Sequence, residues 1–325
     1  MPSQLLHILF GEDIFPNIPD AHRKAFALGC QGPDIFYHSQ GRRPVGLEYG
    51  TLLHRRGAGA FTAELLRRCK ENDALGAYAL GFATHAILDR LAHPYIVYKS
   101  EVTRYVSFHA FFERIIDVLM LKLLRGTEIT SWDQGMLAET CENPPAGLKE
   151  LLAGALAAAF PERAGRDEKL RLRIENAFLD CAGFYRLTAP ARPPAESRDD
   201  AFSLRKHHLV YLYPLELPGD IDFLNLSRQP WYSPAGEKRE DRRSFPEIYA
   251  GAAAAAAGSF AGIINRDMEK GVFPFDEAIA NAIGEAIGNG GLNIVDENGK
   301  PCAPCRADPL PLEEVLERQA ALRGL

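Results

Sequence analysis

The sequence lacks three features that would assign it to familiar classes. It has no uninterrupted run of about 18 apolar residues, which a transmembrane helix would need. Its 37 Lys and Arg residues are outnumbered by 43 Asp and Glu residues, so the strongly basic surface of a nucleic-acid binder is not indicated. The first residues, MPSQLLHILFGEDIF, lack the basic start and apolar core of a signal peptide. We therefore expect a cytoplasmic protein with no transmembrane segment and no nucleic-acid partner.

Cysteine is also scarce, with six residues in a chain of 325. Four are scattered along the sequence, which suits reduced and packed thiols better than a disulfide framework: Cys30, Cys69, Cys141 and Cys181. Cys302 and Cys305 form a CxxC pair, which supplies only half of a zinc site. The sequence leaves the role of this pair open.

The apolar residues recur with helical spacing along almost the whole chain, which predicts an all-α fold and a single helical domain over residues 1–325. Residues 1–125 would contribute the helices of the metal site described below. The predicted helices cover residues 20–29, 47–71, 73–93, 107–124, 145–159, 167–186, 246–264 and 311–323. Pro94 is expected to end the third of them, because it lacks the amide hydrogen and disfavours a helical residue before it.

Two later regions depart from this pattern. Residues 188–245 are rich in proline and charge, and we interpret them as an irregular segment that forms a lid or part of a pocket. Residues 246–325 should contain C-terminal helices and one small hairpin at LNIVDENGKPCAP, turning at Asn298–Gly299. Ser244 and Glu247 have the spacing of a capping box at the start of the first of these helices.

Histidine, in contrast, is concentrated at one end, since seven of the nine histidines lie within the first 109 residues. In GFATHAILDRLAH, residues 81–93, His85, Asp89 and His93 follow one another at intervals of four. Such steps keep three side chains within about 80° of one helix face. The stretch SFHAFFERIID repeats the spacing with His109 and Glu113. Imidazole and carboxylate groups arranged in this way are typical zinc ligands.

An isolated pair of this kind is usually an exposed ion pair worth a few tenths of a kcal/mol. Here the neighbours are apolar, including Phe82, Ile87, Phe111 and Phe112. Burying charged groups among them costs several kcal/mol unless something compensates the charge. A bound metal ion and a mutual network of histidines and carboxylates are the two compensations that the spacing allows.

Several short motifs, in a fixed order, resemble the zinc-dependent phospholipase C family. They are Asp34 in GCQGPDIF, His54 in LLHRRG, and the stretches HAILDRLAHP and HAFFE, with His7 in LLHILF near the start. The resemblance is strong over residues 1–120 and elsewhere rests on helical character alone. It implies an all-α multi-helix bundle, related in general architecture to the S1/P1 nucleases.

The resemblance further implies a cluster of two or three zinc ions held by eight residues: His7, Asp34, His54, His85, Asp89, His93, His109 and Glu113. It assigns Asp34, His54 and His85 to one ion. Asp89 would bridge this ion to a second one at His7, and the last three residues would hold a third. In secreted members of the family the free N-terminal amine completes the site that corresponds to His7. This chain begins Met-Pro, so whether that site is filled stays open.

These residues lead to the expectation of a zinc-dependent phosphodiester hydrolase that resembles a phospholipase C. Its substrate would be a phospholipid head group or another phosphodiester, and zinc would activate the attacking water. Asp34 lies in a loop and is expected to accept the proton of that water. Asp117, one turn beyond Glu113, is a candidate partner of His109 or neighbour of a metal.

Two alternatives stay open at this point. One is a phosphoesterase or nuclease that acts on a soluble substrate. The other is a helical protein without catalytic activity, in which the metals are structural and residues 188–245 bind a partner. Structural zinc is normally closed by four ligands, whereas eight donors for two or three ions leave positions for water, which favours catalysis. Neither the substrate nor the oligomeric state follows from the sequence.

Overall fold

The computed structural model describes residues 4–69, 72–100, 107–190, 206–235, 239–264, 275–296, 298 and 300–324. Most of these residues are helical, and the two strands have only two residues each. The prediction of an all-α fold is therefore confirmed.

The helices of the first half are α1 Gln4–Ile14, α2 Asp20–Gly29, α3 Leu47–Arg55, α4 Ala58–Cys69, α5 Asp73–Ser100, α6 Ser107–Arg125, α7 Gly135–Glu142 and α8 Leu148–Ala159. The second half contains α9 Leu170–Leu187, α10 Phe245–Ser259, α11 Ala261–Ile264, α12 Glu277–Ile287 and α13 Leu312–Leu322. Short 3₁₀ turns occur at Gly32–Phe36, Ile129–Ser131 and Lys206–Tyr211. The strands β1 Trp231–Tyr232 and β2 Glu240–Asp241 pair antiparallel.

Helix α5 is the central element, since it packs against α1, α2, α4, α6 and α10. Its 28 residues are buried nearly all round, so apolar residues occupy every face of it. The prediction that this helix ends near His93 is wrong, because it continues through Pro94 to Ser100. Proline removes one helical hydrogen bond, but Tyr95 and Ile96 beyond it are fully or almost fully buried. Tertiary packing therefore outweighs the local cost of the proline.

Two glycines allow α2 and α5 to cross in direct backbone contact. A Cβ atom on Gly29 would lie 2.1 Å from the carbonyl oxygen of Tyr78, and one on Gly81 would lie 2.3 Å from that of Phe26. No real side chain tolerates such distances. The crossing brings the 3₁₀ turn that follows α2 against the middle of α5, where His85 lies.

The single helix predicted over residues 47–71 is in fact two helices, and residues 70–71 lie outside the described residues. The break falls at Gly57, whose φ of +76° is a left-handed value that glycine adopts without strain. Helix α4 then packs against α12, and the amide of Gly57 donates to the carbonyl of Asn289 at 3.0 Å. Contact with the C-terminal part of the chain thus fixes the bend.

Arg90 of α5 makes a second connection to the C-terminal part. Its Nε atom donates to the carbonyl of Gly291 at 3.2 Å, and Nη2 donates to Gly290 at 3.1 Å and to Gly288 at 3.4 Å. Its Nη1 atom donates to the carbonyl of Ile287, the last residue of α12. A cation is favourable at the C-terminal end of a helix, where carbonyl groups lack helical partners.

Helices α1, α7 and α12 were not predicted. Helix α7 has only eight residues. Helix α12 follows Asp276, whose side chain accepts a hydrogen bond from the amide of Ile279 at 2.8 Å, and buries Ile283 and Ile287. An N-cap followed by isoleucines at helical spacing was a signal that could have found it.

The capping box of Ser244 and Glu247 at the start of α10 is confirmed. The predicted hairpin shrinks to a single antiparallel bridge between Val295 and Pro301, and Gly299 of its turn lies outside the described residues.

The described parts of residues 188–245 are mostly irregular, as expected, and pack against helices α5 and α6. Trp231 is buried here, with its ring centre 5.5 Å from that of Tyr95. Residues 191–205 and 236–238 lie outside the described residues, so the lid function stays a prediction.

The larger hydrophobic core cluster runs from Leu6 in α1 to Ala320 in α13. The single domain stays a prediction. Among the described helices, none combines the length and the apolar character that crossing a membrane demands.

Candidate metal centre

The eight residues predicted as metal ligands come from five elements and lie close together in space. Helix α1 contributes one, the first 3₁₀ turn one, α3 one, α5 three and α6 two. All eight are nine-tenths or more buried. Their donor atoms form three groups, within each of which all atoms lie within 4.8 Å of one another: His7, His85 and Asp89; Asp34, His54 and His85; His93, His109 and Glu113. The first two groups share His85, and we call these five residues the inner group and the last three the outer group.

Backbone carbonyls orient two imidazoles of the inner group. The Nδ1 atom of His85 lies 3.0 Å from the carbonyl oxygen of Cys30, and that of His54 lies 2.8 Å from the carbonyl oxygen of Gly50. A carbonyl can only accept, so Nδ1 of each ring carries a proton and Nε2 is the nitrogen left to bind a metal. The Nε2 atoms of both rings face Asp34, at 3.0 Å from His54 and 3.5 Å from His85. Each ring can therefore bind a metal through Nε2.

Ring stacking and a glycine fix the rest of the inner group. The ring of His7 stacks on that of His85 with centres 4.1 Å apart, and Tyr37 lies against His54 at 4.7 Å. Gly32 has φ of +54°, and a Cβ atom there would lie 2.3 Å from Cδ2 of His85. The 3₁₀ turn that contains Asp34 can therefore approach α5 only with glycine at this position.

In the outer group carboxylates contact the imidazoles directly. The Nδ1 atom of His93 lies 2.9 Å from Oδ1 of Asp89, and Nε2 of His109 lies 3.1 Å from Oε1 of Glu113. The rings of His93 and His109 stack with centres 4.7 Å apart. Asp89 thus connects the two groups, since its Oδ2 atom lies 3.8 Å from Nε2 of His54.

Burial and charge set the protonation of these side chains. Burial lowers the pKa of both His7 and His85 to about 4, so both are neutral at pH 7. Burial also acts to lower the pKa of His54, but the charges of Asp34 and Asp89 outweigh it and the pKa is raised. For Asp89, burial acts to raise the pKa, and the neighbouring His93 more than reverses this, so the carboxylate stays ionised.

The chemistry of the donors fits zinc. Five buried atoms of the inner group have no hydrogen-bond partner: Nδ1 of His7, both carboxylate oxygens of Asp34, Nε2 of His85 and Oδ2 of Asp89. Buried polar atoms without partners are costly and call for an explanation. Neutral imidazole and carboxylate at metal–ligand distances of about 2.0–2.2 Å are ordinary zinc ligands, and neighbouring ligands then lie about 3–4 Å apart. Small side-chain movements would bring each group to that geometry.

A small cavity of about 20 Å³ lies between the two groups. Its polar lining comes from His7, Asp89, His93 and Glu113, and the rest is apolar, including Phe245. A space of this size holds about one water molecule. The cavity between the inner and outer groups is therefore large enough for one water molecule.

Asp117 has a contact that sequence reasoning missed. Its Oδ1 atom accepts a hydrogen bond from the amide of Leu6 at 2.7 Å, and Oδ2 accepts one from the hydroxyl of Tyr213 at 3.0 Å. The carboxylate therefore caps the N-terminal end of α1, the helix that carries His7. A direct partnership of Asp117 with His109 stays a prediction.

The other residues that sequence reasoning missed act through the backbone or by shape: the carbonyls of Cys30 and Gly50, Gly32 and Tyr37. Contacts made by backbone carbonyls cannot be predicted from a sequence, because every residue has a carbonyl. The pair Gly32–Pro33 did predict a turn before Asp34.

The cysteines are free thiols, and the first four are buried as expected. The ligand groups found among the described residues do not include Cys302 or Cys305.

Residues 6–157 match a family model described as zinc dependent phospholipase C. This part of the chain is therefore similar to the zinc-dependent phospholipase C family. The matched segment contains all eight predicted ligands, and the resemblance stated from the motifs is thereby confirmed. No curated protein and no solved structure matched the chain.

Proposed function

We propose that the protein is a zinc-dependent phosphodiester hydrolase of the phospholipase C type. One observation carries this proposal: the Nε2 atoms of His54 and His85 and the carboxylate of Asp34 converge inside the protein, and backbone carbonyls hold the Nδ1 atoms of both imidazoles. The family of residues 6–157 supports zinc as the metal and a phospholipid as the substrate.

The geometry favours one assignment of the inner ligands. The Nδ1 atom of His85 is taken by Cys30, so its single free nitrogen can serve only one ion. If that ion also takes Asp34 and His54, then His7 and Asp89 remain for a second ion. The outer group would hold a third. This matches the assignment that the family resemblance implies.

The charges of the site suit a phosphodiester. Three carboxylates, Asp34, Asp89 and Glu113, against two zinc ions leave a net charge of +1, and against three they leave +3. A phosphodiester monoanion is attracted by such a charge in a buried site. Zinc bound there would polarise the phosphoryl oxygens and lower the pKa of water towards about 7.

We further propose that Asp34 accepts a proton from the attacking water. It lies in a short 3₁₀ turn rather than along a helix face, and its two oxygens face Nε2 of His54 and of His85. A carboxylate in this position can ligate with one oxygen and accept a proton with the other. We assign this second role to Asp34.

The test is zinc analysis of the purified protein together with hydrolysis assays. We expect two or three zinc ions per chain and hydrolysis of phosphatidylcholine in preference to single-stranded DNA. Preferred cleavage of DNA would favour the nuclease alternative. A full zinc content with no hydrolysis of any phosphodiester in a broad panel would favour structural metals and contradict the proposal.

A further inference from the structure

Arg114 is a buried cation that has no direct ion-pair partner among the described residues. It follows Glu113 on α6, and its side chain belongs to a residue that is only 3% exposed. The guanidinium lies over the ring of Tyr213 at 4.4 Å and near that of Phe184 at 5.9 Å. Its Nη1 atom has no hydrogen-bond partner. Within the described ranges no carboxylate forms a direct ion pair with Arg114. Its guanidinium donates a hydrogen bond to the hydroxyl of Tyr213, which in turn donates to Asp117 at 3.0 Å.

His38 lies on the same aromatic ring. Its imidazole stacks on Phe184 with centres 3.9 Å apart, and the residue is 8% exposed. Its Nε2 atom is likewise buried without a hydrogen-bond partner. Burial, together with the charge of Arg114, lowers the pKa of His38 to about 3, so the ring is neutral and presents one N–H group.

Two buried nitrogens beside one phenylalanine therefore lack partners. A desolvated guanidinium is costly, and ring faces compensate it only in part. Arginine is the side chain that best matches the oxygens of a phosphate or carboxylate group. Phe184 and Tyr211, whose ring centres are 5.7 Å apart, are partly exposed.

We propose that Arg114 and His38 form a binding site for a phosphate-type oxyanion beside the metal centre. The site is tied to the metal centre through the chain, since Arg114 follows Glu113 directly and His38 is four residues after Asp34. Resting on the proposed function, the inference is that the enzyme takes substrates with a second phosphate group in addition to the scissile diester. Free inorganic phosphate has the same chemistry and could occupy the same site.

The first experiment measures binding and needs no hydrolysis. Inorganic phosphate is titrated into the full chain by calorimetry, before and after zinc is removed with a chelator. We expect one phosphate to bind independently of zinc. Arg114→Gln should weaken it by about 10- to 100-fold, as expected for a charged hydrogen-bond donor. His38→Gln should weaken it by about 2- to 10-fold.

The matched control is Arg125→Gln, since Arg125 lies on the same helix but pairs with Asp13 at 2.6 Å. It should leave phosphate binding unchanged. Equal affinities of the Arg114→Gln and Arg125→Gln proteins would overturn the proposal, as would the absence of zinc-independent binding in folded wild-type protein. If Arg114→Gln does not fold, His38→Gln and Arg114→Lys decide in the same way, because each should bind phosphate more weakly than wild type.

The second experiment identifies the source of the oxyanion. Wild type and Arg114→Gln are sedimented with vesicles of phosphatidylcholine, with and without phosphatidic acid. Stronger binding of wild type to the phosphatidic acid vesicles would assign the site to a lipid phosphate. If wild type and Arg114→Gln bind these vesicles equally but differ in their calorimetric affinity for inorganic phosphate, the site would be assigned to free phosphate. Zinc-independent phosphate binding without diester hydrolysis would refute the proposed function but not this site.

Discussion

The two ends of the ligand-bearing part of α5 are built differently. At the inner end His85 is fully buried, and a backbone carbonyl from another element orients it. At the outer end His93 is 7% exposed, and carboxylates that are themselves predicted ligands contact the imidazoles of the outer group. Backbone carbonyls therefore orient His54 and His85 before metal arrives. Each group must still exchange one imidazole–carboxylate contact for the metal, between His54 and Asp34 in the inner group and between His109 and Glu113 in the outer group.

This difference predicts unequal metal affinities. An imidazole that a backbone carbonyl holds at Nδ1 loses less conformational entropy when its Nε2 atom binds a metal. The metal also leaves the contact with that carbonyl in place. We expect the inner group to keep zinc at chelator concentrations that empty the outer group. The following predictions, from the largest expected effect to the smallest, test this contrast.

Replacing the shared inner ligand should have the largest effect. His85→Ala removes the imidazole that is shared by the two sets of donor atoms within the inner group. Zinc affinity at the inner group and the rate of hydrolysis should therefore each fall by more than about 100-fold. Metal analysis and kinetics measure this, with His22→Ala as the matched histidine control outside the centre. Retention of inner zinc would contradict the assignment.

Asp34→Asn should separate catalysis from metal binding. The amide keeps an oxygen ligand but cannot accept the proton, so turnover should fall by about 10²- to 10⁴-fold. The loss of zinc, measured on the same samples, should be much smaller. Parallel losses of turnover and of zinc would make Asp34 a ligand only.

Gly32→Ala should disturb the inner group through the backbone. The methyl group would clash with His85 and force a left-handed φ on alanine, costing about 2–4 kcal/mol in the free energy of unfolding. Urea unfolding measures this. The matched control is Gly183→Ala, because a Cβ atom at Gly183 meets nothing within 4 Å. Equal stability of the two variants would show that the turn can move away from α5.

Glu113→Gln should affect the outer group alone. One zinc ion should be bound about 10- to 100-fold more weakly, and the inner zinc should be retained. A chelator titration that follows the release of each ion measures this. Simultaneous release of all the zinc would mean that the two groups form one cooperative unit.

Asp117→Asn should have the smallest effect. Loss of the charged cap of α1 should cost about 0.5–2 kcal/mol of stability. Since His7 lies on α1, its zinc should be weakened more than that of the outer group. Thermal unfolding and metal analysis measure the two effects, and an unchanged melting temperature would argue against the capping role.

The sequence predicted most of what local spacing encodes. The intervals of four residues in α5 and α6, and the order of the motifs from His7 to Glu113, were enough to predict the eight donors that the structure gathers. Pro94 and the break at Gly57 were not predictable, because contacts with distant parts of the chain decide both. The carbonyls of Cys30 and Gly50 could not be predicted either, since any residue provides a carbonyl.

The contacts of Arg90 bear on whether residues 6–157, which match the family model, can fold without the rest of the chain. Its guanidinium binds carbonyls at residues 287–291, far beyond that boundary, while its chain neighbour Asp89 connects the two metal groups. A fragment cut at the boundary would contain every predicted ligand. It would also leave Arg90 without these carbonyl partners and expose the face of α4 that packs against α12. Recombinant expression of the matched segment alone should therefore yield insoluble or metal-poor material.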